Sequence, residues 1–298
     1  MDRLTGGEYG FLLLTSHLGN PERKPLTTAQ FRELFKRSDR MREAVTNRDV
    51  KESDFTSIGY SPKAAAHIVS LLGEESLLHH YLERGRKAGC VPVTRATADY
   101  PVVLRQRLGL DSPGVLWAKG DLSILQTPAI SLVGSRELNE KNARFASEVG
   151  RQAALQGYTL VSGNARGADK IAQRACLEAG GLVISVVADS LENKKQMDNV
   201  LWLSEDSFDM EFSPQRALSR NRVIHGMGLK TFVAQSSLRT GGTWDGTVKN
   251  LRFGWSPVFC YDDGSVASVT LAGMGATLVG IHELNSIYDL TEDQQKIL

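Results

Sequence analysis

The sequence predicts an α/β protein: a doubly wound, mostly parallel sheet preceded by a small all-α N-terminal domain. Three observations carry this. Short runs in the second half read as near-continuous apolar stretches, the pattern of strands buried on both faces. They alternate with helical stretches that end in glycine, which reads as successive βαβ units. Before residue 86 the apolar spacing is helical only. The expected division is 1–85 for the helical part and 86–298 for the α/β part.

The elements follow in order. Thr27-Thr28 stands as a cap before AQFRELFKR, where Phe31, Leu34 and Phe35 share one face. Ser61-Pro62 opens a helix that Gly73 ends, and residues 75–86 form a further amphipathic helix. Residues 91–94 and 114–118 read as short strands. The regular alternation then begins: strand 130–134, helix 142–156, strand 158–162, helix 168–179, strand 182–187. Later strands are 231–234, 257–260 and a short one at 277–279. In such sheets ligands bind beyond the carboxyl ends of the strands.

Composition bounds the function without naming it. The chain has 298 residues, 41% hydrophobic and 23% charged, which is ordinary for a globular protein. Lys and Arg total 35 against 34 Asp and Glu. A polyanion would therefore have to be met by a local patch, because the overall charge offers no attraction. Cys90, Cys176 and Cys260 stand far apart with no C-x-x-C pair, arguing for reduced thiols rather than a disulfide framework or a zinc site. The apolar stretch at residues 9–15 is too short for a signal peptide or a membrane span, so a cytoplasmic setting is expected. The histidines are scattered, and His79 and His80, being adjacent, would point different ways on a helix; no metal is expected.

Three strand ends carry unusual loops. The first is Gly134-Ser135-Arg136, in which glycine lets an anion approach backbone amides and Arg136 offers a planar, two-pronged phosphate contact. The alternative is an ordinary βα turn with a surface arginine. The second is Ser162-Gly163-Asn164-Ala165-Arg166-Gly167-Ala168-Asp169. It is neither a dinucleotide fingerprint nor a Walker loop. Asp169 is expected to cap its helix through backbone N–H groups. Arg166 is harder to explain as structure. The third combines Arg216, Arg220, Asn221 and Arg222 on a helix before a buried strand with the turn Thr240-Gly241-Gly242-Thr243 after it. Charge runs are usually solvated faces; here every charge is arginine, the residue suited to phosphate.

At these residues the chain resembles the DNA-processing protein A (DprA/Smf) family, part of a wider Rossmann-like group that includes LOG-type phosphoribohydrolases. The resemblance rests on Tyr100-Pro101-Val102-Val103-Leu104, then Pro113 through Gly120, then Val133-Gly134-Ser135-Arg136, Ser162 through Asp169, and Arg220-Asn221-Arg222-Val223-Ile224. It implies an extended Rossmann-like domain that binds single-stranded DNA in a positive pocket, without a cofactor, and acts in DNA processing, uptake or recombination. It further implies contact with a RecA-type recombinase and a homodimer. On that basis Arg136, Arg166, Arg220 and Arg222 look like phosphate binders, and Gly134, Gly163, Gly241 and Gly242 let DNA reach the backbone. Asn164 departs from the pattern, standing where the family usually has glycine. So does the segment from Ser190 to Asn199, where Leu191 and Asn199 match, Glu192 is a conservative replacement, Lys194 offers charge, and the family's Tyr-Pro is gone.

Two other functions use the same residues. A LOG-type enzyme needs an acid–base glutamate after its glycine loop; here that position holds Asn250, and an amide does not take up a proton at neutral pH. A sensor of a nucleotide-derived small molecule, for instance in phage defence, needs no such group. In the DNA reading, Trp244 beside the Gly-Gly turn is a candidate for stacking on a base, with core packing as its alternative role.

Overall fold

The computed structural model describes residues 4–38, 49–205 and 207–292. The N-terminal part holds α1 (Gly6–Thr15), α2 (Thr28–Ser38), α3 (Glu52–Ser57), α4 (Pro62–Leu72) and α5 (Glu75–Lys87). The anticipated caps are present. The Thr27 hydroxyl accepts from the Gln30 amide at 3.3 Å while Gln30 Oε1 accepts from the Thr27 amide at 2.9 Å, which satisfies two of the donors a helix start leaves open. Ser61 caps α4 with Pro62 in its first turn. The segment 9–15 lies within α1, whose Leu12 and Leu13 are buried. Phe31 and Leu34 are buried as anticipated, but Phe35 is 42% exposed and lies under the Arg95 guanidinium.

The α/β part holds β1 (Val91–Thr94), α6 (Val102–Leu108), β2 (Val115–Lys119), β3 (Ala129–Val133), α7 (Glu140–Leu155), β4 (Thr159–Ser162), α8 (Ala168–Glu178), β5 (Val183–Val187) and β6 (Val200–Glu205). It continues with α9 (Pro214–Ser219), α10 (Asn221–Met227), β7 (Thr231–Val233), α11 (Gly241–Phe253), β8 (Val258–Tyr261), α12 (Val266–Gly273) and β9 (Thr277–Val279). All strands join one sheet in the order β1-β2-β6-β5-β4-β3-β7-β8-β9. From β6 to β9 every pairing is parallel; β1 and β2 add an antiparallel edge. The sheet is thus the mostly parallel, doubly wound one expected. Strand β6 was not foreseen. Its four-residue apolar run, Val200-Leu201-Trp202-Leu203, shows no alternation, and periodicity does not separate such a run from a buried loop.

Neighbouring residues of the central strands enter opposite layers, as the pleat requires. Leu160 and Val183 pack with Phe145, Val149 and Ala172 of α7 and α8. Val161 and Ile184 pack with Leu104, Val223, Ile224 and Met227 of α6 and α10. A third core joins α1 and α5 to the antiparallel edge through Leu12, Tyr81 and Trp117. A fourth, formed by Phe31, Leu34, Phe55 and Ile68, belongs to the helices α2 to α4. Among the described residues no helix is long and apolar enough to cross a membrane.

The connections place the site. From β3 the chain winds one way through β4 and β5 to β6; from β7 it winds the other way through β8 to β9. The reversal falls between β3 and β7, which are hydrogen-bonded neighbours with Ser131 opposite Thr231. A crevice beyond the carboxyl ends of these two strands follows from that switch.

Candidate nucleic-acid interface

The loops at the switch point are laced together by backbone contacts. Ser135 donates its N–H to the Gln235 carbonyl at 2.9 Å, joining the loop after β3 to the one after β7. Ala168 donates to the Ser135 carbonyl at 3.1 Å, joining it to the loop after β4. The approach is so close that only glycine fits at Gly167: its φ is +88°, and a Cβ there would lie 2.5 Å from the carbonyl oxygens of Ser135 and Arg136. Gly134 is confined in the same way, since a Cβ there would lie 2.5 Å from Ala168 Cβ.

Asn164 adopts φ +55°, the left-handed conformation. Asparagine visits that region more readily than other side chains, so it meets here the backbone demand that a glycine would meet. Asp169 does not cap α8. Its Oδ2 accepts the N–H groups of Gly163 and Ala165, each at 3.1 Å, so the carboxylate folds back and fixes the preceding loop. Burial pushes its pKa up, and the Arg220 charge opposes that rise.

Arg220 sits at the junction of α9 and α10. It is only 8% exposed, its Nε is buried without a partner, and its guanidinium makes no hydrogen bond among the described residues. Burial lowers its pKa while the Asp169 and Asp189 charges raise it. A buried guanidinium without hydrogen bonds is costly in the free protein, and an anion would relieve it. Arg136, exposed, faces the same space.

A cavity of about 510 Å³ opens here. Gly134, Ser135, Arg136, Asp169, Arg220, Asn221, Thr240, Gly241 and Gly242 all line it. The amide of Asn221 donates to the Gly242 carbonyl at 3.1 Å and so ties α10 to the turn that opens α11.

The structure places the other anticipated residues elsewhere. Ser162 is fully buried and accepts from Gln173 Nε2 at 2.7 Å. Gly163 lies against the Arg220 guanidinium. Arg166 extends into solvent and pairs with Glu137 at 2.8 Å. Lys194 pairs with Asp189 at 2.6 Å over the Trp202 ring. Asn199 precedes β6 and accepts from the Val183 amide, at the opposite end of the sheet from the cavity. Arg216 donates to the carbonyls of Ala188, Met210 and Glu211 and to Ser204 Oγ, which fastens the loops after β5 and β6. It borders a neighbouring cavity of about 170 Å³ that also touches Arg220. Arg222 points away from the main cavity and pairs with Glu205, with 15% and 11% of their side chains exposed. Trp244 packs against the core.

Residues that sequence reasoning passed over complete the lining. Phe212 and Leu218, 55% and 45% exposed, form an apolar rim. His225 lines the cavity yet is wholly buried. The signal for it was one polar residue inside the apolar run from Val223 to Met227. Asn250 is also wholly buried, and its amide is committed to His225 and Ser256.

A doubly wound sheet with glycine loops and guanidinium groups gathered at its switch point is the frame of a Rossmann-like protein with an extended, mixed edge. The chain belongs to the DNA recombination-mediator protein A family, which matches residues 92–277. Among curated relatives it is 32% identical over 141 residues to DNA processing protein DprA of Streptococcus pneumoniae, covering 44% of this chain and 50% of that one. It is 29% identical over 142 residues to Protein Smf of Escherichia coli, covering 44% and 38%. The matched region thus spans about half the length of these relatives or less. The fold is similar to that of the Streptococcus pneumoniae protein, with a TM-score of 0.73 at 21% identity, over 97% of this chain and 100% of that chain. It is also similar to DNA processing protein A of Helicobacter pylori, studied for its single-stranded DNA binding mode. There the TM-score is 0.55 at 20% identity, over 66% and 95%.

Proposed function

We propose that this chain binds single-stranded DNA in the cavity at the β3–β7 switch point and acts in DNA processing or recombination. The observation that carries this reading is Arg220, a buried guanidinium without hydrogen bonds among the described residues, in a glycine-lined crevice. A phosphate between Arg220 and Arg136 supplies the missing acceptors, and the amides at the start of α11 favour the same charge. The single-stranded DNA binding mode for which the Helicobacter pylori protein was studied supports the choice of polymer.

The surroundings favour a strand over a mononucleotide. The main cavity meets the 170 Å³ one at Arg220. That one in turn shares Glu205 and Ser219 with a groove of about 730 Å³ bordered by Lys24, Thr27, Thr28 and His67. This succession of cavities leads from the Gly-Gly turn toward the helical part, whose α1 and α5 share a core with the sheet edge. Recombinase loading belongs to the same proposal, as does a homodimer, for which the exposed Val266 and Val269 on one face of α12 offer an apolar surface.

The test is fluorescence anisotropy with a labelled oligo-dT strand titrated against salt, for the wild type and Arg220→Ala. Binding that weakens steeply with salt, and that the substitution reduces, is the expected result. No binding at low salt overturns it, and a nucleotide-derived ligand then takes its place.

A further inference from the structure

The strand-end cavity has two chemically different ends. At one, the Arg220 guanidinium lies against Gly163, just past β4. At the other, His225 lies beside Gly246 of α11, the helix that follows β7. Arg220 and His225 are five positions apart along α10, a rise of roughly 7.5 Å at about 1.5 Å per residue. One phosphate group does not reach across that distance, whereas a nucleotide does.

The tautomer of His225 is fixed by its neighbours. The Ser256 backbone N–H, a donor only, points at Asn250 Oδ1 at 2.9 Å, which settles the orientation of that amide. Asn250 Nδ2 therefore donates, to His225 Nδ1 at 3.0 Å and to Ser256 Oγ at 3.0 Å. With Nδ1 accepting, the ring proton sits on Nε2. That Nε2–H is buried and has no hydrogen-bond partner among the described residues. Burial pushes the imidazole pKa down to about 3, so the ring is uncharged at neutral pH.

Two glycines four residues apart on α11 form the wall beside it. A Cβ at Gly242 would lie 3.3 Å from Leu218 and 3.4 Å from the Asn221 amide; one at Gly246 would lie 3.1 Å from His225 Nε2. Leu218, Phe212, Asn221 and His225 line the same side of the cavity, with the apolar rim outermost and His225 deepest. A phosphate drawn into this end would lose its water and meet no cation, at high cost. An uncharged acceptor on a flat, apolar-faced group meets both the rim and the donor.

We propose that His225 is a specificity-determining residue of the nucleic-acid site: its Nε2–H, aimed by Asn250, donates to a carbonyl oxygen of one nucleobase whose ring rests against Leu218 and Phe212. The seat then takes a keto-bearing base ahead of adenine, which has no carbonyl. This rests on the single-strand reading of the cavity.

The test compares labelled oligo-dT, oligo-dA and a strand of the same length in which thymine is replaced by difluorotoluene, a thymine-shaped ring without carbonyls. Wild-type protein is expected to bind oligo-dT about tenfold more tightly than the substituted strand, the effect of leaving one buried donor unsatisfied. His225→Phe is expected to bring the two within about twofold while the salt dependence of binding stays. Equal binding of oligo-dT and the substituted strand by the wild type overturns the proposal, and this arm needs no variant to fold. A gap that persists in His225→Phe overturns it as well. Failure to bind any strand at low salt is a different result: it overturns the single-strand reading itself, and the base seat with it.

Discussion

The guanidinium of Arg220 fills the space that a side chain on residue 163 would need: a Cβ built on Gly163 would lie 1.5 Å from Nη1 and 2.2 Å from Cζ. The glycine of one loop and the arginine of another, 57 positions along, thus form a single device. Gly163 does not adopt a positive φ, so its requirement is one of space. Gly163→Ala is expected to expel Arg220 from its place, weakening oligo-dT binding about as much as Arg220→Ala does. It should also lower stability by about 1–3 kcal/mol, as overpacking does. In an Arg220→Ala background the same substitution should cost little on either measure. A double-mutant cycle by anisotropy and thermal unfolding reads the coupling.

Arg220 and Arg222 stand two positions apart and should behave oppositely. Arg222 is paired with Glu205 and also donates to the Asp111 carbonyl at 3.2 Å. Arg222→Ala leaves the buried Glu205 carboxylate without its cation, with only the Ser219 hydroxyl still donating to it, and should cost about 3 kcal/mol of stability, with the salt slope of DNA binding unchanged. Arg220→Met removes a buried cation that makes no hydrogen bond among the described residues but whose charge offsets buried Asp169, so it should weaken DNA binding with only a small change in unfolding temperature. Chemical denaturation alongside salt-dependent anisotropy separates the two; a loss of stability in Arg220→Met as large as that in Arg222→Ala would contradict the account.

The backbone at Asn164 makes its own prediction. At φ +55° a β-branched residue is strained, so Asn164→Val should destabilise by about 1–2 kcal/mol. Asn164→Gly should be near neutral. Unfolding midpoints of the two variants check this directly.

Burial of His225 gives a pH dependence whose sign is fixed. The folded-state pKa, about 3, lies below the ordinary value of 6.5, so the unfolded chain binds the extra proton first. The contribution of neutral His225 is complete above pH 6.5 and is lost as pH falls toward 3. At pH 5 the loss should be about 2 kcal/mol. Unfolding temperatures measured from pH 7.5 to 5 should fall in the wild type and flatten over that range in His225→Phe.

Much of this was legible before any coordinates. The runs at 130–134, 158–162 and 182–187 are mostly apolar with glycine at one end or both, and the structure has strands in all three places. The glycine loops sit at strand ends because a local turn chemistry dictates them, and such chemistry is written in adjacent residues. What lay outside the sequence depends on residues far apart in the chain. Arg136, Arg216, Arg220 and Arg222 are alike as letters, yet Glu205 claims one, a set of loop carbonyls claims another, and only Arg136 and Arg220 face the main cavity. Asp169 serves the loop before it rather than the helix it opens. His225 has meaning only through Asn250, and Asn250 only through the Ser256 amide. Periodicity and turn preference are properties of a few consecutive residues, so the sequence determined the elements and the loops between them. Strand order, side-chain partnership and burial are set when distant segments meet, and those decided which residues make the site.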